Sequence, residues 1–194
     1  MSLNLENQLL FYGSYHHTTA NKAIHIVCVP MILMTFFLLG TNTPSLVPIP
    51  SWLVIPNLPP NLGTIATLIY AIVYILMEPV AGGLLAPLLL AGTAYSEYLT
   101  TTYGAIANYW AVGIFASSWV AQFIGHGLFE GRAPALLDNL VQALVLAPFF
   151  VWMEILFFIG YRPELKSRVE SAVEKEVEKY RRSQGQSHGY RTND

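Results

Sequence analysis

The distribution of charged residues constrains this chain more than any other feature of its sequence. Residues 1–161 contain only two basic residues, Lys22 and Arg132, and six acidic ones, whereas residues 162–194 hold eight basic and six acidic residues. Charged residues make up 11 % of the chain, against roughly 25 % in a soluble domain. The sequence therefore predicts a membrane-embedded domain at 1–161 and a soluble segment at 162–194.

Long apolar stretches divide the first domain into helices. Residues 23–40 carry no formal charge and are just long enough to cross a hydrocarbon core of about 30 Å. Residues 62–96 are too long for one span, and we expect Glu78–Pro79 together with the Gly82–Gly83 step to divide them into two helices. Two further apolar helices are predicted at 103–125 and 140–161. The fold class is therefore all-α, a multi-pass membrane bundle of four to five apolar helices.

The number of full spans stays open at this stage. The basic tail favours a cytosolic C-terminus. Five full spans would place the N-terminus on the opposite side, whereas one re-entrant helix would place both termini in the cytosol. Residues 79–96 and the helix interrupted by Pro148 are the weakest candidates for full spans.

The C-terminal segment differs from the rest of the chain in its pattern of charged and apolar residues. From Pro163 to Arg182 apolar residues recur at helical spacing between charged ones, which predicts a soluble amphipathic helix. The polar remainder, SQGQSHGYRTND, is expected to be disordered.

Four histidines lie within or beside the apolar stretches: His16, His17, His25 and His126. Neutral imidazole is the commonest metal ligand, and ionisable groups at membrane depth suggest a function. If residues 17–25 are helical, His17, Asn21 and His25 share one face, and His16 joins them only if the helix is broken there. Three or four imidazoles around one ion suit zinc or non-haem iron. For each histidine alone, an interfacial or hydrogen-bonded role is the alternative.

Other polar residues surround these histidines in the sequence. Asn21 and Glu130 are candidates for holding the ligands in place. Lys22 and Arg132 are candidates for pairing with an anionic substrate. Alternatively, Lys22 could extend to lipid headgroups, and Arg132 could pair with Glu130 or Asp138 in the same turn. We assign no chemistry to Glu78, Glu97 and Glu154. The net charge of −2, without a basic patch outside the tail, argues against nucleic-acid binding.

Two blocks of this sequence resemble a known family. They are FYGSYHHTTANKAIHIVCVPMIL at 11–33 and WVAQFIGHGLFEGRAPALLDNLVQALVLAPFFVWMEILF at 119–157. They are similar to the 2-hydroxy fatty acid dioxygenases of the endoplasmic reticulum in fungi, which have relatives in bacteria and plants. Between the blocks, residues 41–100 resemble the family only in hydrophobicity.

The resemblance implies a multi-pass protein of the endoplasmic reticulum membrane with an Fe(II)-dependent activity. It implies that a long-chain 2-hydroxy fatty acid reacts with O₂ and loses its carboxyl carbon as CO₂ during phytosphingosine breakdown, without 2-oxoglutarate. His16, His17, His25 and His126 match the family's histidines and would hold the iron, and Lys22 or Arg132 would fix the carboxylate. Two alternatives remain, a zinc-dependent membrane lipid hydrolase and a non-catalytic lipid-binding or scaffold protein.

Overall fold

The computed structural model describes residues 4–131, 133 and 140–191, and this part of the chain contains helices and no strand. The predicted all-α class is therefore confirmed. The α-helices in chain order are Leu5–Tyr15 (α1), Thr19–Thr41 (α2), Leu62–Met77 (α3), Pro79–Tyr103 (α4), Ala105–Gly125 (α5), Leu140–Phe158 (α6) and Pro163–Arg191 (α7). Two short turns accompany them, a 3₁₀ turn at Ser51–Leu53 and a π-helical turn at His126–Glu130.

Glu78 separates α3 from α4, as the sequence predicted. Its backbone is extended, its carboxylate accepts the N–H of Ala81 at 2.5 Å, and Pro79 occupies the first position of α4. Proline is favoured there because its fixed φ suits the first turn and it has no N–H to satisfy. Gly82 lies inside α4 and does not divide the helix. A Cβ at this position would collide with the backbone of Tyr74, so Gly82 lets the two helices approach closely.

Three helices are long and apolar enough to cross a membrane by length and composition: α2, α4, and α5 extended by its π-helical turn. The bend between α6 and α7 is 118°, and counting that pair as one broken span raises the number to four. The segment 79–96, expected to be a weak span, is part of a longer helix that counts as a candidate span, because α4 continues to Tyr103 and ends only at Gly104, where φ is +53°. The predicted bundle of apolar helices is thus present, with three to four candidate spans.

The start of α2 and the end of α6 lie at the same end of the bundle, which we call the α1 end. There Lys22 near the start of α2 pairs with Glu154 near the end of α6, with Nζ and Oε1 2.9 Å apart. At the opposite end, Asn42 after α2 donates to Asn108 at the start of α5, at 2.9 Å. Because α5 and α6 both finish at the α1 end, the chain enters and leaves the bundle at that end. This agrees with the re-entrant alternative.

Aromatic and aliphatic side chains from α1, α2, α3, α4, α6 and α7 form the core. Tyr74 of α3 stacks on Phe149 of α6 with ring centroids 4.9 Å apart, and its hydroxyl donates to the carbonyl of Val145 at 2.7 Å. Many large apolar side chains on the outer faces of α2–α5 are exposed. Such an extensive apolar surface is unusual for a soluble monomer and suits lipid.

α7 packs along α1. Leu165, Val169 and Val177 of the predicted apolar stripe are buried, and Arg168 forms two hydrogen bonds of 3.1 Å with the carboxylate of Glu6. The helix runs to Arg191, nine residues beyond the predicted end at Arg182. No proline follows Pro163, so no residue forces the backbone out of the helix.

Candidate metal centre

The chain breaks between α1 and α2, and this break directs the side chain of His16 inward. α1 ends at Tyr15, and the N–H of His16 caps it by bonding to the carbonyl of Gly13 at 3.2 Å. Thr18 has an extended backbone, and α2 begins at Thr19. The helix break that His16 was predicted to need is therefore present.

His16, His25 and His126 form one buried cluster, although they belong to three separate segments. They are 5 %, 2 % and 3 % exposed. Their ring centroids lie 4.3 to 5.0 Å apart, and one nitrogen from each ring lies within 4.8 Å of the other two. This separation allows three nitrogens to bind a single ion.

Backbone carbonyls determine the tautomers of two of these rings. Nδ1 of His16 donates to the carbonyl of Tyr12 at 2.8 Å, and Nδ1 of His25 donates to the carbonyl of Asn21 at 2.9 Å. A carbonyl only accepts, so both protons are on Nδ1, and in neutral rings both Nε2 atoms carry lone pairs. These two Nε2 atoms face each other at 3.1 Å. Two acceptors at that distance repel unless a cation binds between them.

The ring of His126 also indicates that the cluster binds a metal ion. Nδ1 of His126 is buried and has no hydrogen-bond partner among the residues that the structure describes. Buried polar atoms without a partner are rare and need an explanation. A metal ion bound to the cluster would explain both this unpaired nitrogen and the facing lone pairs of His16 and His25.

Burial keeps His16 in the form that binds metal. Its pKa is well below 6.5, mainly because burial penalises the charged ring and secondarily because His25 lies close by. The ring is therefore neutral at neutral pH, with its Nε2 lone pair available.

Glu130 connects the turn that carries His126 to the start of α2. Its side chain is 1 % exposed, and its Oε1 accepts the backbone N–H and the hydroxyl of Thr18, at 3.0 and 2.9 Å, and the amide of Asn21 at 3.1 Å. Since the carbonyl of Asn21 orients His25, the two residues expected to hold the ligands in place lie beside the cluster. π-Helical turns such as His126–Glu130 are frequent at functional sites.

His17 does not join the cluster. Its Nδ1 lies against Oε2 of Glu130, and its Nε2 accepts a hydrogen bond from Arg181 of α7 at 3.1 Å. The expected shared face of His17, Asn21 and His25 does not form, because the helix begins only at Thr19.

Of the two predicted cationic residues, the structure describes Lys22, whose side chain has a carboxylate partner. Lys22 pairs with Glu154, and both line a cavity of about 630 Å³ between α1, α6 and α7. Arg132 lies outside the described residues. Glu78 and Glu97, to which we assigned no chemistry, have structural partners: Glu78 caps α4, and Glu97 accepts from Asn61 at 2.8 Å.

Two residues at the site were missed in the sequence. The ring of Tyr12 stacks on His16 with centroids 4.0 Å apart, and Gln122 lies on α5 one turn before His126. Both are four positions before a histidine, which is the spacing of neighbours on a helix. That spacing was the available signal, but it is shared by many packing residues.

A bundle of membrane-type apolar helices thus encloses three histidines that are able to hold a metal ion. A family model described as "Mpo1-like: 2-hydroxy-palmitic acid dioxygenase Mpo1-like" matches residues 2–159, and the chain belongs to this family. The chain is 38 % identical over 172 residues to the 2-hydroxy-palmitic acid dioxygenase MPO1 of Saccharomyces cerevisiae, covering 89 % of this chain and 91 % of that protein. No solved structure matches the chain significantly. The resemblance of the two sequence blocks is confirmed, and the match also spans the segment between them.

Proposed function

We propose that this protein is an Fe(II)-dependent dioxygenase that converts long-chain 2-hydroxy fatty acids to fatty acids one carbon shorter. The family membership supports the dioxygenase activity and the substrate class. The observation that carries the metal dependence is the pair of facing Nε2 atoms, 3.1 Å apart, with His126 beside them. Bound Fe(II) would supply the reaction with O₂ that releases the carboxyl carbon as CO₂.

The residues of the chain would hold the ion and orient the acid. His16, His25 and His126 supply three nitrogens, which leaves further coordination positions for the oxygens of the substrate. The carbonyls of Tyr12 and Asn21 fix two of the rings. We revise the proposed ligand set to these three histidines, and we assign His17 to holding Glu130.

Lys22 would attract the carboxylate of the substrate. It is partly exposed in the 630 Å³ cavity at the α1 end, where its present partner Glu154 is also partly exposed. An incoming carboxylate would compete with Glu154 for the ammonium group. Arg132 is the second candidate for binding the substrate carboxylate.

We also propose that the protein lies in the endoplasmic reticulum membrane, in contact with membrane lipid.

The test is O₂ consumption by purified protein that has been loaded with Fe(II) without air and then given a long-chain 2-hydroxy fatty acid. We expect O₂ uptake matched by a product one carbon shorter, detected by mass spectrometry, without added 2-oxoglutarate. His25→Ala and His126→Ala should lose both iron and turnover, whereas His188→Ala, near the C-terminus, should keep both. Cleavage of an ester- or amide-linked membrane lipid by zinc-loaded protein, without O₂ or iron, would instead support the hydrolase alternative.

A further inference from the structure

An apolar cleft of about 210 Å³ lies between α2, α5 and α6. Its walls are aliphatic and aromatic apart from the amide of Gln122 and the hydroxyl of Tyr70, which donates to the carbonyl of Leu144 at 3.2 Å. The lining residues used below are Val29, Ile32, Phe36, Trp119, Gln122 and Leu144.

The cleft begins one helical turn from the histidine cluster. Val29 follows His25 by four residues on α2, and Gln122 precedes His126 by four residues on α5. Four residues of α-helix span about 6 Å. His25 on α2 and His126, which directly follows α5, therefore lie about one helical turn from the cleft, on the side of the α1 end.

Gln122 is the unusual residue of the cleft. It is 8 % exposed, and its Nε2 is buried without a hydrogen-bond partner among the described residues. Buried amide donors are almost always paired. This unpaired N–H group lies in an apolar cleft next to a candidate metal centre, where it is able to donate a hydrogen bond to an oxygen of a bound ligand.

We propose that this cleft binds the first part of the acyl chain of the acid, and that Gln122 donates a hydrogen bond to an oxygen of its head. This inference rests on the proposed function for the class of substrate. The cleft is too small for a whole long-chain acid, but Phe36 and Leu144 at its rim are 43 % and 40 % exposed. The rest of the chain therefore extends past them into lipid. Gln122 is a positioning residue and Ile32 a determinant of chain length.

A second groove supplies matched controls. It has a volume of about 590 Å³ and lies between α2, α4 and α5, where Trp110 and Ile114 line it. Among its lining residues on α2 the nearest to His25 is Met31, six positions away, and it contains no unpaired buried amide within the described part of the chain. Trp119→Phe and Ile32→Phe in the cleft therefore have equivalents in this groove, Trp110→Phe and Ile114→Phe.

Binding is tested first, in metal-loaded protein without O₂, so that no turnover occurs. The probe is a long-chain 2-hydroxy acid brominated near its head, which quenches a neighbouring tryptophan. We expect the brominated acid to quench tryptophan fluorescence saturably. This quenching should be lost in Trp119→Phe and retained in Trp110→Phe. Quenching lost only in Trp110→Phe would place the chain in the other groove and overturn the proposal.

The role of Gln122 is tested in the same assay. Gln122→Leu should weaken binding of the 2-hydroxy acid about tenfold, because it removes one hydrogen bond to a charged or polar head, and it should leave the metal content unchanged. An equal loss for the acid without the 2-hydroxyl would assign the carboxylate as acceptor, whereas a loss confined to the 2-hydroxy acid would assign the hydroxyl. Unchanged affinity for both acids would overturn the role of Gln122.

Chain-length preference provides the second readout. Ile32→Phe should raise KM for the longest acids about tenfold and leave short acids unaffected, whereas Ile114→Phe should change neither. If wild-type protein turns over but Ile32→Phe keeps its chain-length profile, the cleft assignment fails while the proposed function stands. If wild-type protein binds the brominated acid at Trp119 but has no turnover, the proposed reaction fails while the cleft assignment stands.

Discussion

His16 and His17 are adjacent in the chain but have different surroundings. His16 is buried against Tyr12 and faces His25, whereas His17 is partly exposed and lies between Glu130 and Arg181. The difference arises at the break between α1 and α2, where successive side chains no longer follow one helical surface. Neighbouring residues of the same type therefore have separate roles, one as a candidate ligand and one as a support for Glu130.

This difference predicts unequal effects of the same substitution. His16→Ala should abolish stoichiometric metal binding, because it removes one of three nitrogens. His17→Ala should retain one metal per chain, with affinity reduced about 10–100-fold, as is typical for loss of a partner that supports the ligands. Metal analysis after dialysis, followed by metal titration, measures both effects. Equal metal loss in the two variants would contradict the ligand set of three histidines.

The sequence was sufficient to select the histidines but not to choose among them. Residue type and apolar surroundings identified His16, His17, His25 and His126 together. The starting residue of α2 decides which of the first two points inward, and helix boundaries cannot be predicted to a single residue. Gln122 was missed because a single glutamine on an apolar helix gives no local pattern.

The helices hold the cluster together through close contact between α2 and α5. Gly125, the last residue of α5, lies against Asn21 of α2, and a Cβ at this position would come 2.5 Å from Oδ1 of Asn21 and 3.2 Å from Ile24. Asn21 in turn orients His25 and donates to Glu130. The absence of a side chain at Gly125 therefore sets the distance between two helices that carry cluster histidines.

Gly125→Ala should loosen this contact, because the added methyl group pushes Asn21 away from its partners. We expect a loss of about 1–3 kcal/mol in the free energy of unfolding, as is typical of overpacking, together with weaker metal binding. Gly113→Ala is the matched control on the same helix, since a Cβ there meets nothing within 4 Å. Thermal unfolding in detergent and metal titration measure both variants. An equal response of the two would show that the contact at Gly125 has no special importance.

Some elements were easier to predict than others. Glu78–Pro79 marks a helix boundary in the sequence itself, because an acidic residue followed by proline suits the start of a helix. Proline alone is not sufficient, since Pro30, Pro87 and Pro148 lie inside helices. The extension of α4 to Tyr103 was missed, since residues 97–103 are polar and aromatic but contain no helix-breaking residue before Gly104. The π-helical turn at His126–Glu130 depends on contacts with Thr18 and Asn21, which lie more than a hundred positions earlier in the chain.

At the scale of the whole molecule, α1 and the part of α7 up to Arg181 lie at the α1 end, and so does the histidine cluster. α7 packs on α1 through Arg168 and Glu6, and the contact between His17 and Arg181 brings the tail next to the site. The excess of basic residues in the tail favours the cytosolic side of a membrane. The candidate metal centre would then lie near the cytosolic surface, with the loop after α2 on the other side.

Cysteine labelling tests this orientation. In a Cys28→Ser background, Ser183→Cys in the tail and Ser45→Cys in the loop after α2 provide matched reporters, and both serines are exposed. We expect a membrane-impermeant maleimide to label Ser183→Cys in sealed microsomes and Ser45→Cys only after detergent is added. Labelling of both variants in sealed microsomes would contradict a loop on the far side of the membrane.

The origin of the three histidines in three separate segments has a consequence for biosynthesis. His16 and His25 leave the ribosome with the first membrane helix, but His126 follows only after α3, α4 and α5 have been made. If this cluster binds an ion, a nascent chain would hold only two of the three imidazoles until α5 has been made. Stable metal binding would then follow the insertion of α5, and the bound ion would connect the first membrane helix of the bundle to a later one.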